Sequence, residues 1–198
     1  MKKFFVMAVM AVAALNANAQ WWAGGELGFG SSHNNGAEVS TKEFTIKPEV
    51  GYSLTDKIDV ALSVGYIHLS NASLRDYVNE NYGFDLGRLG VRDGSGNGFT
   101  INPYIRYKFV KAGNFFAFVD GGIDYTTLHM NGTDKNANQF GVSVAPGIAY
   151  AVSPKVTLVS HIGDGLYYRH SWIKDTAHNN AFGFKLINSI SFGAYYSF

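Results

Sequence analysis

The chain has 198 residues, with 16 Lys and Arg against 15 Asp and Glu, no cysteine, and a 46% apolar composition that includes 15 Phe, 12 Tyr and 23 Gly. A formal charge of +1 gives no electrostatic footprint for nucleic acid, so no nucleic-acid partner is expected. Without cysteine, neither a disulfide nor a cysteine-linked lipid anchor is expected.

Met1-Lys2-Lys3, the apolar run from Phe4 to Leu15 and the small-x-small triplet Ala17-Asn18-Ala19 read in order as a cleavable secretory leader. Residues 1–19 are therefore predicted to be a signal peptide, and residues 20–198 one exported domain. No later apolar stretch is long enough to be a membrane helix. An exported chain of this kind enters a membrane only as a closed barrel, because backbone groups in hydrocarbon must pair within the protein.

Alternation at period two starts at once. Trp21, Ala23, Gly25, Leu27 and Phe29 fall on one parity, Trp22, Gly24, Glu26, Gly28 and Gly30 on the other. The second strand, from about Glu43 to Leu54, sends Phe44, Ile46, Pro48, Val50 and Tyr52 outward and Thr45, Lys47, Glu49 and Gly51 inward. After the turn at 55–57, Ile58, Val60, Leu62, Val64 and Tyr66 oppose Asp59, Ala61, Ser63 and Gly65. Strand four (99–109) sets Ile101, Pro103, Ile105 and Tyr107 against Asn102, Tyr104, Arg106 and Lys108. Strand five sets Phe115, Ala117, Val119, Ile123 and Tyr125 against Asp120, Gly122 and Asp124. Strand six (140–152) sets Val142, Val144, Pro146, Ile148 and Tyr150 against Gly, Ala and Ser. Strand seven carries Val156, Leu158 and Ile162, interrupted by Ser160; strand eight carries Ile190, Phe192, Ala194, Tyr196 and Phe198.

One motif recurs four times along this walk: Pro48-x-Val50-x-Tyr52-x-Leu54, Pro103-x-Ile105-x-Tyr107-x-Phe109, Pro146-x-Ile148-x-Tyr150-x-Val152 and Phe192-x-Ala194-x-Tyr196-x-Phe198. It predicts four equivalent strands with Tyr52, Tyr107, Tyr150, Tyr196 and Phe198 in a girdle at one membrane interface. The fold class is all-β, an eight-stranded antiparallel up-and-down transmembrane barrel. Connections near 55–57, 110–114 and 153–155 are short, whereas 30–42, 70–98, 128–138 and 165–181 read as long polar loops. Such barrels keep short turns in the periplasm and long loops outside.

An eight-stranded lumen is filled by side chains. The inward charges Glu26, Glu49, Asp59, Asp120 and Asp124 against Lys47, Arg106, Lys108 and Lys185 are therefore expected to pair as a plug, since buried charges need partners. The segment Asp93-x-Ser95-x-Asn97-Gly98 has half of a calcium loop, but Tyr104 stands where the bidentate carboxylate belongs. His33, His129, His170 and His178 show no paired ligand spacing. No metal or cofactor is predicted. Loop residues Arg75, Tyr77, Tyr82, Phe84, Arg88 and Arg92 are candidates for a surface ligand or lipopolysaccharide phosphates.

With its leader, eight strands, long outer loops and terminal Tyr196-x-Phe198, the chain resembles the OmpA/OmpX-type small outer-membrane barrels. That resemblance implies residence in the cell outer membrane, contact with the lipid bilayer and lipopolysaccharide, and handling by periplasmic chaperones and the barrel-assembly machinery. A local stretch, His68-Leu69-Ser70-Asn71, is similar to the His-x-Ser-Asn motif of PagL-type lipid A deacylases. By that resemblance Ser70 is the nucleophile, His68 the base, Asn71 an oxyanion or positioning group and Glu80 the nearest orienting acid. Three functions follow as alternatives: a non-enzymatic surface scaffold, a lipid A acyl esterase, and a narrow ion channel.

Overall fold

The computed structural model describes residues 21–34, 39–70, 95–131, 136–174, 177–186 and 190–198. The leader and the loop candidates Arg75, Tyr77, Tyr82, Phe84, Arg88 and Arg92 lie outside the described residues, as do Asn71 and Glu80. The strands are β1 (Trp21–Asn34), β2 (Val39–Ser53), β3 (Ile58–Ser70), β4 (Gly96–Ala112), β5 (Phe115–Met130), β6 (Asn136–Ala151), β7 (Val156–Ile162), β8 (Gly165–Ile173), β9 (Ala177–Lys185) and β10 (Ile190–Ser197).

β1 to β6 pair antiparallel in chain order. β6 then pairs with β7 at its turn end and with β8 at its loop end, while β10 joins β7 to β1 and β9 extends β8. Ten segments thus make eight staves of a closed antiparallel barrel, the seventh being β7 with β8 and the eighth β9 with β10. Closure is sealed at the turn end, where the Phe198 amide donates to the Trp21 carbonyl and the Ser197 amide to that of Lys155.

The alternation fixes what each face meets. On β6, Val142, Val144 and Ile148 are 44%, 45% and 37% exposed, whereas Gly141, Gly147 and Ala149 between them are buried. An apolar outer wall around a closed sheet is the arrangement hydrocarbon requires. Glycine on the inner face makes room for neighbouring rings. A Cβ at Gly51 would sit inside the Trp22 indole, one at Gly147 inside the Phe118 ring, and one at Gly24 against Tyr195.

The three repeated prolines have a common setting. Pro48, Pro103 and Pro146 each face a residue on the preceding strand, Gly25, Leu62 and Val119, while pairing with the following strand lapses at that point. Proline has no N–H to give there. At Pro103 the side chain of Asn102 supplies the missing donor, its Nδ2 reaching the Ile123 carbonyl at 2.8 Å.

Three expected loops are mostly strand: in 30–42, β1 runs to Asn34 and β2 begins at Val39. Residues 165–181 hold β8 and most of β9, with Leu166 and Tyr168 outward and Tyr167, Ser171 and Ile173 buried. Likewise β5 and β6 run into 128–138, leaving only 131–135 between them. The seventh stave hides its continuity behind two extra residues: Gly147 pairs with His161 but Val144 with Leu166, and Gly163 and Gly165 take positive φ of 75° and 64° to absorb them. The turn expected at 110–114 tightens to Gly113 and Asn114, because β4 bulges between Lys108 and Val110 and continues to Ala112.

Candidate functional site

The lumen is organised around Arg106. It stands opposite Asp120 on the neighbouring strand, and its guanidinium makes a two-pronged contact, Nε to Oδ1 at 2.8 Å and Nη2 to Oδ2 at 2.7 Å. The guanidinium carbon lies 4.0 Å from the Phe118 ring centre, with the rings of Tyr195, Tyr104 and Trp22 at 5.2, 5.5 and 5.7 Å. Arg106 is 1% exposed and Phe118 fully buried. A cation deep in a protein needs both a counter-ion and π faces of this kind. Nη2 also donates to the hydroxyls of Tyr195 (3.2 Å) and Tyr104 (3.5 Å), which in turn donate to Glu49 Oε2 at 3.0 and 2.6 Å. Glu49 is thereby linked to Arg106 through two phenols.

A second layer hangs on His161. Its Nε2 lies 2.7 Å from Asp120 Oδ2, and its Nδ1 lies 2.6 Å from Glu26 Oε1, at ion-pair distance but off the hydrogen-bond axis. Glu26 also takes the Ser191 hydroxyl at 2.9 Å and Lys47 Nζ at 3.3 Å. Phe118 presents its ring edge-on to the imidazole, centroids 5.3 Å apart. Nearer the turns, Lys108 Nζ is 2.8 Å from Asp59 and lies over Phe116. Towards the loops, Asp164 and Arg169 are 3.5 Å apart, and Asp124 is half-buried beside Gly141. Lys185 has inward parity on β9 and no ion-pair partner among the described residues.

At the turn end the outer wall carries aromatic residues. Tyr107, Tyr150 and Tyr196 are exposed and Tyr52 and Phe198 half-exposed, with Trp21 edge-on to Tyr52 and Phe198 edge-on to Tyr196. His68 lies on the outer wall near the opposite end. Its Nδ1 is 2.8 Å from Asn97 Oδ1, which also accepts the Tyr66 hydroxyl at 2.6 Å. Ser70 shares that parity, but among the described residues no hydrogen bond joins it to His68.

Sequence reading left out His161, Trp22, Tyr104, Tyr195 and Ser191 as members of the plug. His161 carried a usable signal: if Leu158 and Ile162 face out, position 161 faces in. Trp22 and Tyr104 had inward parity in the sequence, but their partners did not show, because whether an inward ring reaches a charge depends on the stagger between strands.

These features sit in a known family context. The model of the outer membrane protein beta-barrel domain matches residues 4–198. An uncharacterized protein of Haemophilus influenzae is 25% identical over 166 residues, which cover 82% of this chain and 88% of that protein. Outer Membrane Protein W of E. coli has a similar fold, with a TM-score of 0.51 at 14% identity over 93% of this chain and all of that one. Neisserial surface protein A (NspA) gives 0.50 at 16% identity over 91% of this chain and 98% of that one.

Proposed function

Because the chain belongs to the outer membrane protein beta-barrel domain family, we propose that it serves the outer membrane as a stoppered, non-enzymatic scaffold whose outer loops engage surface partners. The observation that carries this reading is the Arg106 cage, in which a paired guanidinium and four rings occupy the bore where a channel would need water. With transport through the bore disfavoured, function falls to the loops that a rigid barrel displays. In this reading residues 1–19 are removed on export and residues 20–198 form the barrel. Chaperones and the assembly machinery deliver it, the short turns face the periplasm, and the loops face outward beside lipopolysaccharide.

The esterase alternative has less support. His68 has its Nδ1 committed to Asn97, and the same pairing of histidine with asparagine recurs elsewhere on the wall. Planar-bilayer recording tests the scaffold: the wild type should stay silent, and the double substitution Trp22→Ala with Phe118→Ala should open discrete conductance. A conducting wild type would overturn the reading in favour of a channel. Loss of an acyl chain from lipid A on incubation with the protein, abolished by Ser70→Ala, would overturn it in favour of the esterase.

A further inference from the structure

Three of the four loop-end hairpins carry the same outward-facing polar unit. On β3 and β4, Tyr66 opposes Phe99 and His68 opposes Asn97; Tyr66 Oη and His68 Nδ1 both meet Asn97 Oδ1, at 2.6 and 2.8 Å. On β8 and β9, Tyr168 opposes Phe182 and His170 opposes Asn180; Tyr168 Oη and His170 Nδ1 both meet Asn180 Oδ1, at 3.0 and 2.8 Å. On β5 and β6 the unit is stretched by two residues. Tyr125 opposes Phe140 and bonds Asn138 at 3.0 Å, while His129 opposes Asn136 and bonds it at 2.8 Å. Local folding accounts for the geometry: a Tyr-x-His run on one strand and an Asn-x-Phe run on its partner interlock when the Tyr and Phe are directly opposite.

Each unit has a defined hydrogen-bonding output. On β3–β4 and β8–β9 one asparagine oxygen takes both the phenol and Nδ1–H, and on β5–β6 Asn138 takes the phenol and Asn136 takes Nδ1–H; in each unit this leaves Asn Nδ2 with two donors and the neutral imidazole with Nε2 as an acceptor. Donor and acceptor side by side, next to an exposed ring, match a saccharide, whose hydroxyls both give and take hydrogen bonds. A phosphate only accepts. Below every unit the same parity continues into the apolar wall, at Val64 and Ile101, Ile123 and Val142, and Leu166 and Phe184, all exposed. The units therefore continue the hydrocarbon-facing surface where it meets the headgroups. Repetition on successive hairpins suits an occupant that surrounds the barrel, rather than a protein docking on one side.

We propose that these Tyr–Asn–His units are binding stations for the sugar headgroups of the glycolipid in the outer leaflet. The proposal rests on the loops-outward orientation given above. Native mass spectrometry of the purified barrel with lipid A, with dephosphorylated lipid A and with phosphatidylglycerol tests it. Wild type should retain both lipid A forms and little phosphatidylglycerol. The triple variant Asn97→Leu, Asn138→Leu and Asn180→Leu should retain at least fivefold less lipid A, while the triple Tyr66→Phe, Tyr125→Phe and Tyr168→Phe should lose less. Heat-modifiable gel migration checks that each variant is folded, and the three single Asn→Leu variants decide on the same criterion if the triple is not. Unchanged lipid A retention, equal retention of phosphatidylglycerol, or loss of binding on dephosphorylation each overturns the proposal. Failure of the orientation itself would show separately, as loops resistant to protease on intact cells.

Discussion

The two sides of the barrel are built differently. From β1 to β6 the strands run 13 to 17 residues with their pairing interrupted at the prolines and at the β4 bulge, whereas β7 to β10 are segments of 7 to 9 residues, with positive-φ glycines between β7 and β8. The continuous side holds Arg106, Asp120, Glu49 and Phe118; the interrupted side contributes His161, Ser191 and Tyr195. Within the paired run from Tyr104 to Lys108 the ladder fixes the height of each side chain, so a two-pronged ion pair between adjacent strands can be held rigidly there. On the broken side the lumen is filled by single groups that reach across to it.

Replacing Arg106 should therefore have the largest effect. Arg106→Met leaves Asp120 buried with only His161 beside it and should cost about 3–5 kcal/mol, measured by urea unfolding in lipid vesicles. Arg106→Met combined with Asp120→Leu should recover most of that loss, because an apolar pair of similar volume is often no worse than a buried ion pair. Next, Gly147→Val drives a side chain into Phe118 and should cost about 1–3 kcal/mol in the same assay. On the interrupted side, Gly163→Ala meets backbone strain, since φ is 75°, and should cost about 1–2 kcal/mol. The smallest perturbation needs no substitution. Amides of β7 and β9 should exchange with deuterium roughly tenfold faster than those of β4 and β5, about 1.4 kcal/mol in local opening. Equal rates would erase the distinction between the sides.

Period-two alternation carried most of the architecture. It placed Val142 and Ile148 on the wall and Arg106 and Asp120 in the bore, because side-chain direction in a strand depends on position alone. It failed at 165–181, where Tyr168, His170, Asn179 and Asn180 look like loop composition. There Tyr168, His170 and Asn180 face outward at the level where the apolar wall ends, so the usual match of polarity with loop breaks down. The Asn–His–Tyr units were hidden for the same reason. Each is assembled from two strands, and only the register reveals that His68 faces Asn97 or that His170 faces Asn180. His68 thus drew attention beside Ser70 in the chain, although its bonded neighbour is 29 residues away.

The seam between the first and last staves has a consequence for the lumen. β1 meets β10 from Trp22 to Leu27, and across that seam the Trp22 and Tyr195 rings meet at 4.4 Å, tilted by 30°, with Tyr195 in hydrogen-bond contact with Arg106. The same strand, β10, therefore closes the hoop against β1 and supplies Tyr195 to the stopper in its bore. Any variant that loosens this seam should loosen the stopper with it.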